Sequence, residues 1–439
     1  MFKNLFKKRS KRVSEETYYS SSEYVSAGHP DRLADILAAI VIDDVQKRDG
    51  VNSHAAVEVF LTHDTVYFGG EVTTSLKIDK EYLAGVVREG FEMAGYIPEM
   101  RQYWTKKEVM LAEDMKIVNK ICAQSPDIAL GTTNKGAESG WNDQGVYFSS
   151  CDCTTERGIG YPHYVAKLIS DALFKESRES IMNGAEAMLG PDNKVVVTVK
   201  TSSDGMTPIC VTAITIAVAH TSTVKDFYLE AHIKLSVLKW LRNAGITVAN
   251  GCMWVINGTG RFVVHGCVSD TSMTGRKISV NHPSAGPVWC NKMIGGGTMV
   301  KPAHASDLML NLMSRYIAEV IVAANLSSYA VVGCSCAIGQ QGLQSLFIKG
   351  DERFEARKDK GLIYDFFFQF VKWSPIAIAE KFGFFNGDFD FARAVKDNFF
   401  GDGNSQPWEN PDLFLDDAEA LLLYISKRGG LRIGAIRSV

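Results

Sequence analysis

One order of elements recurs three times along the chain, and it restricts the fold more than any single motif. From Pro30 to Lys47, apolar Leu33, Ile36, Leu37, Ile40 and Val41 follow the i, i+3, i+4, i+7, i+8 stripe of an amphipathic helix. Extended runs at 55–61 and 65–74 follow, joined by the turn-like Thr62-His63-Asp64, and a helical stretch covers 79–94. The order returns as a helix over 164–188, strands over 195–201 and 209–219, and a helix over 224–243. It returns again as a helix over 306–324, strands over 329–338 and 343–349, and a helix over 362–373. In the helix from Ser306, Leu308, Leu312, Met313, Ile317, Val320 and Ile321 share one stripe, and Ser306 suits its N-cap. Each unit has an apolar sheet face to bury and helices to cover it. The expected fold is therefore α+β, with three similar lobes, each a sheet covered on one face by helices.

Composition agrees with that architecture. The 439 residues suit about three domains. With 46% hydrophobic and 22% charged residues the chain is not disordered or of low complexity. The formal charge of -3 gives no overall field for nucleic acid, although Lys3, Lys7, Lys8, Arg9, Lys11 and Arg12 make a basic leader. Residues 13–23 are polar, so the leader lacks the apolar stretch of a secretory signal. The most apolar long stretch, 316–339, contains Glu319 and reads as a helix and a strand, not a membrane span. The nine cysteines include the CxC pairs Cys151/Cys153 and Cys334/Cys336 but no CxxC, which points to free thiols in a reducing compartment. Segments 125–143, 286–305 and 401–411 are polar or glycine-rich and longer than packing requires.

Four constellations carry chemistry. In Gly28-His29-Pro30-Asp31-Arg32, Pro30 suits the first helical position, so unpaired helix N–H groups lie beside His29, Asp31 and Arg32. Such an end attracts anions, and a carboxylate there can hold a cation that bridges to phosphate. The second is Asn257-Gly258-Thr259-Gly260-Arg261-Phe262 followed by Asp270 to Lys277, where Arg276 and Lys277 offer a fork and a point charge to phosphate oxygens. The third runs from Gly295-Gly296-Gly297 through Lys301 to Asp307, with a spacing that is neither a Walker motif nor a dinucleotide fingerprint. In the fourth, Glu58 interrupts the apolar run 55–60 and Glu71 lies on the neighbouring strand. Glu58 either faces solvent or needs a partner.

The types and order of these residues resemble S-adenosylmethionine synthetase (methionine adenosyltransferase) from about residue 22 to about residue 409. The matching segments are SEYVSAGHPDRLAD, GGEVTTS, QSPDI, NDQG, PDNK, NGTGRFVVHG, SDTSMTGRKI, GGG, SRYIAEVIVAANL, CAIG and PWE. The resemblance implies three lobes in pseudo-threefold relation. They would span 22–130, 131–263 with a gating loop from Gln124, and 264–412, flanked by a flexible leader over 1–21 and a tail over 413–439. It also implies a reaction in which the methionine sulfur attacks the 5′ carbon of ATP and displaces tripolyphosphate, which is hydrolysed to diphosphate and phosphate before release. That chemistry depends on placing the sulfur and stabilising a large anionic leaving group.

Carried over by position, His29 resembles the histidine beside the breaking bond, and Lys194, Arg276, Lys277 and Lys301 resemble the catalytic cations around the polyphosphate. Asp31 and Asp307 match the aspartates of two magnesium ions, and Glu58 the glutamate of a potassium site. Asp192, Arg261, Phe262 and Ile338 match further ATP contacts. Glu71, Gln124 and Asp143 match methionine contacts, and Asp270 matches contacts to both substrates. The resemblance further implies a cytoplasmic homodimer with shared sites, in some members a dimer of dimers, with no nucleic-acid or membrane partner.

Three departures stand out. Arg32 replaces the family's lysine. The segment GGGTMVKPA is one residue shorter before Lys301 than the family's GGGAFSGKD. Ala305 stands where a second site lysine is expected, with His304 beside it and able to carry charge only as pH allows. These departures keep two alternatives open: a weakly active or non-catalytic homologue acting as a modulatory subunit, and a tripolyphosphatase with an altered thioether substrate.

Overall fold

A computed structural model gives the fold and describes residues 16–127, 139–183, 188–290, 298–385, 389–401 and 406–428. The expected leader lies outside the described residues as far as residue 15. So do 128–138 of the expected gating loop, the three glycines within 291–297, and the tail beyond 428.

Among the described residues the strands form three sheets. The first, in the order β4-β3-β2-β9, comprises β2 (His54–Thr62), β3 (Thr65–Thr73), β4 (Lys116–Ala123) and the two-residue β9 (Ser272–Met273). The second, β1-β6-β7-β8, comprises β1 (Tyr18–Val25), β6 (Leu189–Thr201), β7 (Pro208–His220) and β8 (Val248–Ile256). The third, β11-β10-β5, comprises β5 (Gly145–Asp152), β10 (Tyr329–Cys336) and β11 (Ser345–Gly350). The longer helices are α1 (Pro30–Asp49), α2 (Lys80–Met93), α3 (Tyr161–Met182), α4 (Asp226–Asn243), α5 (Ser306–Ala323), α6 (Lys360–Phe370), α7 (Pro375–Lys381), α8 (Phe391–Asp397) and α9 (Pro411–Lys427). Helices α1, α3 and α5 pack on the first, second and third sheets. The α+β lobes read from the sequence are therefore present, and none of the described helices is long and apolar enough to cross a membrane.

The sheets exchange strands, and this is what brings distant motifs together. β1, next to the first motif, pairs antiparallel with β6 of the second sheet, so that Val25 opposes Lys194. β9, from the turn before Arg276, pairs with β2, placing Met273 opposite Phe60. β5 pairs with β10 of the third sheet. None of β1, β4, β5, β8 and β9 stands out by periodicity, because each is short, polar or exposed along an edge.

Helix α1 is buried on nearly all sides, whereas its sequence reads as one-sided. The difference lies in α8, which covers the face that would otherwise meet water. Asp43 accepts the N–H groups of Phe391 and Ala392 at 2.9 and 2.8 Å, capping α8 from outside. Arg32 donates Nη1 to the Val395 carbonyl at 3.2 Å. The arginine that replaces the family's lysine thus turns towards α8. At α5 the N-cap is Ala305 instead of Ser306, and it has no side-chain cap bond. Asn142 does that work from a distance, its Oδ1 accepting the Ser306 N–H at 2.8 Å and the Ser306 hydroxyl at 3.1 Å.

Candidate active site

The site begins at the end of β1. Gly28 passes so close to Pro191 that a Cβ there would lie 2.4 Å from its carbonyl oxygen. Glycine is required by this approach, which seats the next residue beside β6. His29 caps α1, its Nδ1 accepting the Asp31 N–H at 3.1 Å. An Nδ1 that accepts leaves any ring proton on Nε2. Burial, followed by the charges of Lys277, Lys194, Arg32 and Arg276, holds this imidazole well below the usual histidine value. His29 is therefore neutral at pH 7, with four cations in its surroundings.

Asp31 lies one step further, in the first helical turn. Its Oδ1 accepts the Met273 N–H at 3.1 Å and its Oδ2 lies 2.8 Å from Lys277 Nζ, while Arg276 Nη1 stands 3.6 Å from Oδ1. The turn over 272–277 therefore presents both its cations beside the helix end. Lys194 joins from β6, paired at 2.7 Å with Glu23 of β1. Asp192, two residues before it, is buried and accepts the Gly266 N–H at 3.1 Å; burial raises its pKa to about 7 against that bond. His29, Asp31 and Asp270 place polar atoms within 4.8 Å of one another; with His29 Nδ1 accepting the Asp31 N–H and its proton on Nε2, the two carboxylates are the groups able to hold a metal ion. Two carboxylates supply the oxygen ligands that a hard cation such as magnesium prefers.

Glu58 and Lys301 adjoin this cluster. Glu58 faces outward from β2, and its carboxylate meets Lys301 Nζ at 2.6 Å and the Thr274 hydroxyl. The costly interruption of an apolar strand is thus explained by alternation: Val57, Val59 and Leu61 point to the core, while Glu58 and Phe60 point away. Glu71 lies on the same uncovered face, opposite Ala56. Gln124 follows β4 and accepts from the Thr73 hydroxyl at 2.8 Å. Arg261 is exposed, and the Phe262 N–H donates to His220 Nε2 at 3.0 Å.

The remaining predicted residues gather elsewhere. Asp143 and Asp307 both act on the Tyr147 and Cys336 side chains, and Ile338 bridges to Trp141 beside them. Tyr147 donates to the Ser306 hydroxyl at 2.8 Å, joining this group to the start of α5. Two groups therefore stand out within one chain. Asp31, Lys194, Asp270, Arg276 and Lys277 surround His29, with Glu58 and Lys301 adjoining, and Asp143, Asp307 and Ile338 lie at the ends of β5, β10 and α5. Sequence reasoning missed Asp35, Glu23 and Thr274 as partners of the first group; for Asp35 the available signal was its place one helical turn after Asp31.

The comparisons agree on the lineage. The N-terminal, central and C-terminal domains of S-adenosylmethionine synthetase match residues 17–126, 138–262 and 264–410. The S-adenosylmethionine synthase of Acholeplasma laidlawii is 32% identical over 340 residues, covering 76% of this chain and 82% of that protein. The chain belongs to the S-adenosylmethionine synthetase family. The synthase of Pseudothermotoga lettingae is 30% identical, covering 82% of this chain and 88% of its own. Among solved structures, "an Unusual S-adenosylmethionine synthetase from Campylobacter jejuni" superposes with a TM-score of 0.80 at 26% identity, over 92% of this chain and all of that one.

Within this S-adenosylmethionine synthetase fold the position of the missing lysine can be described. Ala305 is wholly buried. His304 is also buried and shares a hydrogen bond with His54, Nε2 to Nδ1 at 3.1 Å. Burial pushes His54 down to about 4 and His304 to about 3, so neither carries charge near neutrality. His304 therefore does not replace the lysine's charge. Because the folded values lie below that of an unfolded histidine, the pair's contribution is intact above about pH 6.5 and is lost as pH falls towards 4. His304→Asn is expected to flatten the fall of unfolding free energy between pH 6 and pH 4 by about 1.4 kcal/mol per pH unit, measured in urea melts. An unchanged slope would show that His304 is not held neutral by the fold.

Proposed function

We propose that this chain forms S-adenosylmethionine from ATP and L-methionine, releasing phosphate and diphosphate. The observation that carries this reading is the convergence of Lys194, Arg276 and Lys277 on a neutral His29 at a helix N-terminus, next to a metal-competent set. The cations and the helix end suit a polyphosphate leaving group. His29, uncharged with its proton on Nε2, can donate to an oxygen at the bond being broken. A magnesium ion held through Asp31 and Asp270 would neutralise phosphate charge. Lys301 occupies Glu58 in this structure, so a potassium ion there requires Lys301 to turn to the polyphosphate, which is the role its position in the family implies.

A homodimer completes this reading. Phe60, Tyr67 and Met273 oppose one another across β3, β2 and β9 and are all exposed, on the face that carries Glu58 and Glu71. A second copy covering this face would bury the aromatic stripe. It would also bring its Asp143, Asp307 and Ile338 to the first copy's His29 group, uniting the two halves, in the cytoplasm as for an enzyme of ATP and methionine. The direct test incubates the purified protein with ATP, methionine, Mg²⁺ and K⁺ and seeks S-adenosylmethionine by mass spectrometry. No product above a His29→Ala control would end the proposal.

A weaker catalyst is favoured by one observation, the uncharged His304–Ala305 pair. Ala305→Lys returns a cation there, at the cost of inserting a long stem into a filled position. The expected result is a methionine KM lower by about tenfold, the worth of one charge-assisted hydrogen bond, together with a lower melting temperature. Lost stability with unchanged methionine kinetics would mean that methionine is held by another route.

A further inference from the structure

We infer that Asp35 is a positioning residue that sets the register of the basic turn over 272–277 against α1. The inference rests on the reading of that turn as the polyphosphate holder. Asp31 and Asp35 stand one helical turn apart, on the same side of α1. Their Oδ1 atoms accept the N–H groups of Met273 at 3.1 Å and Gly275 at 2.9 Å. Four helical residues rise about 6 Å and two extended residues about 7 Å, so alternate amides of the turn can meet successive turns of the helix.

The residue between them is gripped from the other side. Thr274 donates its N–H to the Val59 carbonyl at 3.0 Å, and its hydroxyl accepts the Val59 N–H at 3.2 Å. Three consecutive backbone amides are thus fixed alternately by α1 and by β2, immediately before Arg276 and Lys277.

Asp35 is suited to holding and not to reacting. It is wholly buried, and its Oδ1 bond is made to backbone, the Gly275 N–H. Gly275 adopts φ +76, a left-handed conformation that glycine takes without strain. The Asp35 bond holds that conformation in one place. Without it the turn keeps its covalent path but loses one of its two anchors on α1, and the two cations that follow are released from a fixed position. Asp31 already meets Lys277 directly, so Asp35 is the anchor whose effect on the cations is purely through the backbone.

The test compares Asp35→Ala, which removes the acceptor, with Asp35→Asn, whose amide oxygen keeps it. Two measurements do not require turnover: amide hydrogen exchange of a peptide spanning 272–277, and binding of magnesium tripolyphosphate by calorimetry. In Asp35→Ala, exchange in that peptide should rise about tenfold and tripolyphosphate affinity should fall about tenfold, while the peptides of β6 and β10 keep their protection. Asp35→Asn should stay within about threefold of the parent in both. In catalysis, Asp35→Ala should lower kcat with methionine KM nearly unchanged, and Asp35→Asn should restore it. Equal loss in both variants would overturn the inference, since the charge and not the acceptor would then matter. Unchanged exchange and tripolyphosphate binding in Asp35→Ala would overturn it as well. Should Asp35→Ala fail to fold, the Asp35→Asn result still decides, because loss of tripolyphosphate affinity there contradicts the acceptor role. A parent protein that makes no S-adenosylmethionine would end the proposed activity and leave the exchange and binding measurements to judge Asp35.

Discussion

Lys277→Met is expected to lower the rate of S-adenosylmethionine formation by about 10²–10³, the usual cost of removing one fixed donor from a developing anion. Lys277 Nζ is held 2.8 Å from Asp31 Oδ2, and its side chain is only 13% exposed. A charge so placed needs little reorganisation when a polyphosphate arrives. The substitution also strips Asp31 of its nearest counter-charge, so magnesium affinity should rise while catalysis falls. That opposition separates a site effect from general damage. Lys277→Arg keeps the charge but brings a planar fork to a position now filled by a single ammonium, and should recover only part of the rate. Tripolyphosphate hydrolysis, assayed with tripolyphosphate alone, should decline in parallel with synthesis. A Lys277→Met enzyme with parental rates in both assays would show that the cation does not serve the leaving group.

How much of this was legible in the sequence depends on the length scale involved. Helices α1, α3 and α5 were readable because a stripe of 3.6-residue period is a local property. The β2–β3 hairpin was readable for the same reason, with Thr62-His63-Asp64 as its turn. The strand exchanges were not, because the partners of β1, β5 and β9 lie about 170 to 210 residues away and nothing local in YYSSSEYV or in Ser272-Met273 names them. Residue types at the site were legible in the same uneven way. His29, Asp31, Arg276 and Lys277 were named by motif and do meet. Arg32, named by the same motif, turns instead to Val395 because α8 covers its side of α1. Glu58 was assigned to a potassium ion and Lys301 to the polyphosphate, whereas the structure pairs them with each other. Asp35 escaped notice because its role is a backbone bond to a turn about 240 residues later.

Arg315→Met is the substitution expected to cost most stability, about 3–5 kcal/mol. Arg315 is wholly buried in α5 and donates Nη1 to the carbonyls of Ser150 and Gly158, both at 2.7 Å, and Nη2 to that of Arg157 at 2.9 Å. Nη2 also reaches Glu319 and Glu409, each at 2.9 Å. One guanidinium therefore ties α5 to β5, to the loop after it, and to the PWE segment at 407–409. Glu409 in turn accepts the Gly401 N–H at 2.9 Å. Two buried carboxylates share one cation, and the arrangement is neutral only when one is protonated. We assign the proton to Glu319, whose carboxyl burial holds well above the usual range, even against the pull of Arg315. Removing the arginine leaves Glu409 charged and uncompensated, with three carbonyls short of a donor. The first cooperative melting step should fall by on the order of 10 °C. The protonation assignment supplies the control. Glu319→Gln replaces a neutral acid by a neutral isostere and should cost less than about 1 kcal/mol, whereas Glu409→Gln removes the ionised partner and should cost several times more. If Glu319→Gln proved the more damaging of the two, the charge would reside on Glu319, and Glu409 would be the protonated member of the pair.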